Sequence, residues 1–562
     1  MKDAPKQSQM PNLGADYAKF CRILDMAEQR FTHGDAESSV ALAQIAARLA
    51  YPANVGLFAS PRLEQLLVAI GKSLTVSPKS GAHATTARLG RILHVMSYAR
   101  PVGGDTRFVW RWIKEDRENT HSVAVTTQAD INGTYGIPHQ LKESVERSGG
   151  FLHVLHVPTS RPLEQALELR KLCQDADIVV LHLFPYDVIP ILALCAGCDG
   201  VRTIFVDHSD HTFWLGASVA HSIVHLRTQP QRFLQRSRRL RSGHHPLLPI
   251  PLAYSAPQTT RAEAKAALGY DRDAVILLTI ASPFKYSSPA RQGLLELVIP
   301  VLCEMRQAVL LAVGPSPEGD WREASIRTDG RVVALGARYD NALLYAAADV
   351  YLDSVPFSSI TSLLEAGSLG VPLLGLSPPD ADLCLLGPGA PGLNGTMEIG
   401  ADAASYQGLL RRLIADEDFR LETGRRVRLQ ILARHTGPGW RAAVKGVYAH
   451  LSRTGPRGCL EEGSDAFAAG SLNLALVQLY EQSRGRHFMR QLLWRFLQPL
   501  PYRTRVAIVW ELYRTGFGIS IPNLLPASLN VGARSCARLA HRLKAVLAQR
   551  RGIQPSQPCH RA

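Results

Sequence analysis

The sequence is poor in cysteine and contains no long apolar run. No segment has the roughly 20 uninterrupted apolar residues that a membrane span needs. Residues 1–10 are polar and lack the apolar centre of a signal peptide. Nine cysteines scattered over 562 residues do not form a disulfide framework. These absences exclude a disulfide-stapled secreted scaffold and predict a protein of the reducing cytoplasm.

Acidic residues are scarce at the C-terminal end. Residues 451–562 contain 16 Lys and Arg against 5 Asp and Glu, in a chain whose formal net charge is +15. The aromatic-interleaved basic signatures of RNA-binding modules are absent, so we expect no nucleic-acid partner. Residues 533–551 place apolar residues at helical spacing with basic residues between them. This pattern fits a helix packed on its own protein, and it also fits peripheral contact with an anionic membrane.

The rest of the composition is that of a globular protein of roughly two to four domains, with 46% hydrophobic and 20% charged residues. Residues 1–85 are rich in Ala and Leu at helical spacing, and a polar linker is predicted at 77–86. From residue 91 short apolar runs alternate with helical patterns, which is typical of a parallel, doubly wound sheet. We predict a helical N-terminal region (1–85), two consecutive α/β domains (90–250 and 251–450) and a basic helical C-terminal extension (451–562).

Two α/β domains in tandem imply a cleft between them. The basic segment 225–245 and the proline-rich segment after it are candidates for the crossing between the domains. In open α/β sheets ligands bind beyond the carboxyl ends of the strands. We predict strands at 92–96, 121–125, 152–157, 178–181 and 203–206 in the first domain, and at 275–280, 308–313, 332–335, 350–352 and 372–376 in the second.

The strand ends of the second domain carry groups suited to an anionic ligand. Lys285 follows the first strand, and a turn at Gly314 after the second would let a ligand approach the backbone. After the fourth strand comes a hydroxyl-rich helix start containing Ser359, Thr361 and Ser362. A helix start offers free N–H groups to a phosphate.

The sequence allows two interpretations of Glu365, the one carboxylate in that helix start. Glu365 lies one turn into the helix, where it could reach the hydroxyls of a sugar. Ser362 and Glu365 also fit the S/T-x-x-E capping box, in which the glutamate only closes a helix end.

The strand ends of the first domain carry glycines and histidines. Gly103 and Gly104 follow the first strand, as a tight turn against a ligand or as a simple loop, and they form neither GxGxxG nor a P-loop. His182 follows the fourth strand and is expected to face the cleft.

A short loop after residue 206 concentrates His208, Asp210 and His211. These side chains suggest acid–base chemistry on an acceptor hydroxyl, a metal site, or a histidine held for structural reasons.

These residues together resemble those of the GT-B glycosyltransferases, over roughly residues 90–450. The match lies in Gly103–Gly104, in Lys285, in Gly314 and above all in residues 353–372. The resemblance implies an α/β fold in which two Rossmann-like domains face each other across a cleft, acceptor domain first and nucleotide-sugar domain second. It further implies that Lys285, Ser359, Thr361 and Ser362 hold a donor diphosphate and that Glu365 holds its ribose.

The sequence also departs from the family. Retaining enzymes of the group-1 class carry a glutamate where this chain has Phe357. The loop looks closer to that of inverting O-GlcNAc-transferase-like enzymes, with Ser358 and Ser359 at the usual glycines. The resemblance therefore leaves a retaining or an inverting outcome open.

The function that the resemblance implies is transfer of a sugar from a nucleoside diphosphate sugar, such as a UDP-sugar, to an acceptor hydroxyl. We expect His211 or His208, with Asp210, to act on the acceptor. We also expect no metal and no cofactor, the nucleotide sugar being a co-substrate. The acceptor would be a glycan, a lipid-linked sugar or a protein, in cell-surface glycan or glycoconjugate synthesis, in the cytoplasm or at the inner face of the membrane. A non-catalytic sugar-nucleotide-binding scaffold and a sugar-nucleotide epimerase are the alternatives.

Overall fold

The computed structural model describes residues 12–51, 54–74, 90–101, 103–130, 133–134, 136–155, 161–241, 243, 245–256, 258–286, 293–338, 340–480, 493, 495–514 and 516–517. The predicted linker at 77–86 and the predicted amphipathic helix at 533–551 lie outside these residues. None of the described helices is both long enough and apolar enough to cross a bilayer.

Three helices open the chain: α1 (Leu13–Thr32), α2 (Ala36–Ala50) and α3 (Pro61–Ser73). Asp35 and Ser60 cap the second and third by accepting the amide hydrogens of Ser38 and Leu63. Their apolar faces belong to the same buried cluster as one face of the first sheet. The N-terminal helices thus cover that sheet and do not form a core of their own.

The first sheet has six parallel strands, with a short antiparallel pair beside it. The strands are β1 (Arg91–Met96), β2 (Thr120–Val125), the pair β3 (Ala129–Asp130) and β4 (Gly133–Thr134), then β5 (Leu152–Val154), β6 (Ile178–His182), β7 (Arg202–Asp207) and β8 (Ser222–His225). The helices are α4 (Gly104–Glu115), α5 (His139–Arg147), α6 (Pro162–Gln174) and α7 (Ile189–Leu194). The strand order is β5-β2-β1-β6-β7-β8, and Met96 pairs with His182.

The second sheet repeats this plan. Its strands are β9 (Val275–Ile280), β10 (Ala308–Val313), β11 (Val332–Ala334), β12 (Val350–Leu352), β13 (Leu373–Leu376) and β14 (Glu398–Gly400), in the order β11-β10-β9-β12-β13-β14. The helices are α8 (Arg261–Ala267), α9 (Leu294–Glu304), α10 (Asp320–Arg327), α11 (Ala342–Ala347), α12 (Ile360–Ser368), α13 (Ala403–Ala415) and α14 (Glu417–His435). In the part of the C-terminal region that the structure describes, α15 (Gly437–Leu451), α16 (Ser471–Leu479) and α17 (Tyr502–Arg514) follow.

Both sheets therefore have the strand order 3-2-1-4-5-6 of the Rossmann fold. The predicted fold, two Rossmann-like domains with helical extensions at both ends, is confirmed. The order reverses between β1 and β6 in one domain and between β9 and β12 in the other, and ligands of such sheets bind at these points.

The sequence-based strand assignment missed one strand at the edge of each sheet. Residues 203–206 were expected to form the last strand of the first domain, but β8 follows them, and β14 ends the second sheet. These strands have three or four residues with polar or glycine ends, so they do not read as apolar runs. The central strands of both sheets are buried on both faces, which is why their sequences are almost continuously apolar.

The two domains are joined by one extended segment of the chain and by a shared apolar core. Most of the basic segment 225–245 stays on the first domain, where Leu234 and Leu240 are buried in its core. Residues 246–252 make the crossing, bonded to His225 at one end and to His435 at the other. Next to this crossing, Trp112 of α4 packs against Trp440 and Tyr448 of α15, and Nε1 of Trp440 donates to the carbonyl oxygen of Pro249 at 2.7 Å.

Candidate functional site

A cavity of about 340 Å³ lies between the carboxyl ends of the two sheets. Eight of the twelve predicted site residues line it: Gly104, His182, His208, Asp210, His211, Lys285, Ser359 and Thr361. The other four, Gly103, Gly314, Ser362 and Glu365, are outside its lining. A second cavity of about 300 Å³ lies beside the loop 353–358, and residues of the second domain alone line it.

The start of α12 points into the cleft. Ser359 occupies the N-cap position without capping the helix through its side chain. The loop before it is held by Asp353, whose Oδ1 accepts the amide hydrogens of Ser354 and Ser359 at 2.9 and 3.0 Å. The first-turn amides of α12 are thus presented to the cavity, as an anion site requires.

The capping-box interpretation of this segment is wrong. Because α12 begins at Ile360, Ser362 lies inside the helix and Glu365 a turn further on. Neither residue closes the helix end.

Lys285 approaches the same loop from the end of β9. Its Nζ donates to the carbonyl oxygen of Ser358 at 2.7 Å and lies 4.4 Å from the centre of the Phe357 ring. Burial lowers the pKa of Lys285 to about 8, with Asp353 opposing the shift and Arg227 adding to it. The ammonium is therefore the charged form at neutral pH, and it stands beside the start of α12.

Glu365 connects the two domains. Its Oε1 accepts from Arg111 at 2.9 Å and from Arg107 at 3.3 Å, both on α4 of the first domain. Its Oε2 accepts from Tyr345 at 3.3 Å. The carboxylate thus lies next to the cleft lining, held by two arginines from across the interface.

The predicted glycines have different local reasons. A Cβ at Gly314, whose φ is +113°, would come within 1.9 Å of the carbonyl oxygen of Ala281, so backbone crowding between two loops requires glycine there. Gly103 precedes α4 with extended backbone. A Cβ at Gly104 would lie 3.5 Å from Oγ1 of Thr361, so the starts of α4 and α12 face each other closely across the cleft.

His211 and Asp210 form part of a buried network. The guanidinium of Arg227 donates to both carboxylate oxygens of Asp210, at 2.6 Å from Nη2 and more closely from Nε. Burial raises the pKa of Asp210, but Arg227 outweighs it and the net shift is downward. His211 places Nδ1 at 3.4 Å from Asp210 and Nε2 at 3.2 Å from Oη of Tyr480. Both ring nitrogens of His211 are therefore engaged.

His208 and His182 belong to a second network. Nε2 of His208 lies 2.9 Å from Nδ1 of His182, and Nε2 of His182 lies 3.0 Å from Nδ1 of His94. The bond to His182 is the one hydrogen bond that the described residues give the ring of His208. Its Nδ1 is thus left for the cleft that the residue lines.

The acidic and histidine residues do not gather into a metal site. Asp-x-Asp pairs occur at 175–177, 271–273, 380–382 and 416–418. Over the described part of the chain, no three His, Cys, Asp or Glu side chains stand together as metal ligands. The metal alternative for the 208–211 loop therefore has no ligand set within that part.

Several residues of the site were not predicted from the sequence. Arg107 and Arg111 sit four apart on α4, a spacing that places them on one helix face, but nothing in the sequence names Glu365 as their partner. His94 and His121 had a usable signal, since each is a polar residue within a buried apolar strand. Arg227 follows β8, a strand that the sequence did not reveal.

No protein-family model matches the chain, and no curated protein does. Among solved structures it is similar to a mutant of the O-GlcNAc transferase of Thermobaculum terrenum, at 15% identity and a TM-score of 0.47, covering 77% of this chain and 84% of that one. It is similar to a glycosyltransferase of Rickettsia africae (10% identity, TM-score 0.48, 65% and 100% covered). It is also similar to Anabaena HepE in complex with UDP and glucose (12%, 0.47, 64% and 99%).

The two-domain architecture is established independently of these likenesses by the strand order of the two sheets.

Proposed function

We propose that this protein is a glycosyltransferase that moves a sugar from a nucleoside diphosphate sugar to an acceptor hydroxyl. The observation that carries the proposal is one cavity with two chemically different walls. The second domain contributes Lys285 and the start of α12, and the first domain contributes a histidine with an available ring nitrogen, His208.

The donor diphosphate would lie on the second-domain wall. Lys285 and the first-turn amides of α12 supply positive potential where charge builds up on the leaving diphosphate. The hydroxyls of Ser359, Thr361 and Ser362 add donors along the same turn. Among the described residues, Oε2 of Glu365 accepts from Tyr345 alone, and it would accept from the donor ribose while Oε1 stays with the arginines.

The acceptor would be activated on the first-domain wall. His208 is better placed than His211 to take the acceptor's proton, because both nitrogens of His211 already have partners. Burial lowers the pKa of His208, so the ring is neutral at pH 7 and its Nδ1 can accept a proton. Asp210, fixed by Arg227, would hold the 208–211 loop in place.

The reaction we propose uses no metal and no cofactor beyond the nucleotide sugar. Closure of the two domains over the donor would exclude water and so favour transfer over hydrolysis. For the acceptor we propose a glycan, a lipid-linked sugar or a protein, made accessible in the cytoplasm or at the inner face of a membrane. The basic surplus of residues 451–562 is the feature that supports membrane contact.

The test is donor-dependent release of nucleoside diphosphate by the purified protein. A panel of UDP-, GDP- and ADP-sugars is first screened for thermal stabilisation, and stabilising donors are then incubated with acceptor extracts. Wild type is compared with Lys285→Ala, Glu365→Ala and the control Lys445→Ala, a lysine paired with Glu118 outside the cleft. We expect release by wild type and by the control, and at least a tenfold loss in the two site variants.

The alternative functions predict other results. A protein that binds donors tightly but releases diphosphate with no acceptor extract is a sugar-nucleotide-binding scaffold. Conversion of the donor's sugar without any acceptor would identify an epimerase. Loss of activity on adding a chelator would contradict metal-independent transfer.

A further inference from the structure

Four histidines form a row across neighbouring strands of the first sheet, and the row begins at the cleft. They lie on four neighbouring strands: His208 directly after β7, His182 at the end of β6, His94 in β1 and His121 in β2. The rings are joined end to end, with N–N distances of 2.9 Å from His208 to His182, 3.0 Å from His182 to His94 and 3.0 Å from His94 to His121.

The far end of the row fixes the position of every proton in it. Nε2 of His121 lies 3.0 Å from the backbone carbonyl oxygen of Asp116, which can only accept, so this nitrogen carries a hydrogen. In a neutral ring Nδ1 of His121 is then the acceptor, and Nε2 of His94 must donate to it. For the same reason Nε2 of His182 donates to Nδ1 of His94, and Nε2 of His208 donates to Nδ1 of His182. The result is that Nδ1 of His208, at the cleft end, is the unprotonated nitrogen.

The surroundings keep His94, His182 and His208 neutral at rest. The rings pack edge-on against Phe108 and Trp112 of α4. Burial lowers the pKa of His94 and His182 well below the usual value, and that of His208 as well. Three buried polar rings, with His208 half-buried beside them, cost more than apolar side chains of similar size would. Stability alone therefore does not account for a continuous row that begins at the proposed reaction site.

The carboxylate of Asp116 lies beside His121, at the end of the row away from the cleft. Oδ2 of Asp116 lies 3.4 Å from Nε2 of His121 and accepts from Oη of Tyr448 at 2.7 Å. Burial raises the pKa of Asp116, but the nearby His121 ring and the hydrogen bonds from Tyr448 and Asn119 together outweigh burial, so the net shift is downward and the group is an anion. The cleft end carries charges of both signs. Asp105 and Asp207 favour a protonated His208, while the cations Arg100, Arg227 and Lys285 line the same cavity.

We propose that this row is a proton relay for the transfer reaction, a role that rests on the proposed function. As the acceptor oxygen forms its bond to the anomeric carbon and the bond to the diphosphate breaks, the hydroxyl proton moves to Nδ1 of His208. The Nε2 hydrogen of each ring then moves to Nδ1 of the next, from His208 to His121. His121 ends doubly protonated beside the anionic Asp116. The reverse shift returns the proton to the cleft for release when the product leaves.

In this scheme His208 contacts the acceptor, and His182, His94, His121 and Asp116 act through it. Asp116→Asn removes the anion but leaves the backbone carbonyl that orients His121. His94→Gln can still form hydrogen bonds but cannot pass a proton on. The matched control is His221→Gln, a half-buried histidine of the same domain that accepts from the amide of Thr203 and lies outside the row.

The experiment measures kcat, donor KM and the proton inventory in H₂O–D₂O mixtures for diphosphate release with an active acceptor extract. We expect a curved inventory for wild type, because several protons move in one step. We expect about a tenfold lower kcat for Asp116→Asn, about a hundredfold lower kcat and a linear inventory for His94→Gln, and unchanged donor KM in both. Variants that match His221→Gln in kcat and inventory would overturn the relay and leave the proposed function standing.

A second measurement needs neither variants nor activity. ¹⁵N-histidine NMR of the resting wild-type chain at pH 7 should show four rings with the hydrogen on Nε2 and a bare Nδ1. A hydrogen on Nδ1 of His94 or His182 would overturn the relay even in an active enzyme. A chain that releases no diphosphate from any donor overturns the proposed function, and the relay with it.

Discussion

Single side chains decide what the cleft can bind, and Lys285 is the first of them. Its ammonium has lost most of its water and stands beside a loop that presents helix amides. A half-buried cation of this kind is poorly solvated until an anion arrives, which is a reason for it to bind a diphosphate strongly.

The pKa of Lys285 makes donor binding depend on pH. In the free protein the pKa is about 8, and a bound diphosphate raises it because an anion favours the charged form. Affinity should therefore be constant below pH 8 and fall up to tenfold per pH unit above it. Calorimetric titration with a nucleotide sugar, whose diphosphate does not titrate there, measures this.

Two variants control that titration. Lys285→Arg should remove the decline, because a guanidinium stays charged. Lys285→Ala should weaken binding about 10- to 150-fold at pH 7, the value of a charge-assisted hydrogen bond of about 1.5–3 kcal/mol. An equal decline above pH 8 in all three proteins would assign it to another group.

The buried pair of Asp210 and Arg227 should contribute to stability rather than to catalysis. Arg227→Met leaves an uncompensated buried carboxylate. It should lower the free energy of unfolding by about 3–5 kcal/mol, measured by denaturant unfolding of the full chain. Since the folded pKa of Asp210 is lowered, its contribution is complete above the unfolded value of about 3.9 and is lost as pH falls below it. A loss on raising the pH from 5 to 8 would show that the pair is assigned wrongly.

At the scale of elements, α4 is the part of the molecule that joins the separate networks. Its first residue, Gly104, faces Thr361 across the cleft. Arg107 and Arg111 on one face bond to Glu365, while Phe108 and Trp112 on another pack on the histidine row. A movement of this one helix would therefore change the donor wall and the acceptor wall together.

The gap between the starts of α4 and α12 can be narrowed without disturbing the fold. A Cβ at Gly104 would make ordinary contact with Thr361 at 3.5 Å. Gly104→Ala should then fold normally with little change, while the larger Gly104→Val should raise donor KM about tenfold at unchanged melting temperature. Gly446→Val in α15, where a Cβ meets nothing within 4 Å, is the control, and an equal KM for all three variants would contradict the cleft geometry.

Helices and strands were predictable from the sequence to the extent that burial alone sets their pattern. The strands of the two sheet centres are buried on both faces and read as apolar runs. The edge strands β8 and β14 do not, because they are short and only partly apolar. The capping-box interpretation puts Ser362 at the N-cap of α12, three residues after the observed N-cap, Ser359, because serine is a favoured N-cap residue and stands at both positions.

Contacts between distant residues were beyond prediction from one sequence. Arg111 and Glu365 are 254 positions apart, and no periodicity links them. The four histidines of the row are dispersed from position 94 to position 208, and only the strand order places them side by side. Lys285 and the start of α12 were predictable as neighbours because both follow central strands of one sheet.

The charge of the whole molecule leads to a prediction about membranes. The formal net charge of +15 is concentrated toward the C-terminal end, where Trp510 and Tyr513 of α17 are stacked and exposed. We expect the full chain to sediment with vesicles containing 30% anionic lipid and to be released at 0.5 M salt. Trp510→Ser with Tyr513→Ser should weaken this several-fold, whereas Phe151→Ser, another exposed aromatic, should not. Equal binding to zwitterionic vesicles would contradict an electrostatic contact.

The central claim concerns the two domains together. One cleft holds a nucleotide sugar on the second domain, with His208 of the first domain opposite the sugar. The most direct test is a crystal structure with the nucleotide sugar that stabilises the chain most. The account predicts diphosphate oxygens within hydrogen-bonding distance of Nζ of Lys285 and of the first-turn amides of α12, with the sugar between them and His208. A diphosphate bound elsewhere, or a sugar facing away from the first domain, would contradict it.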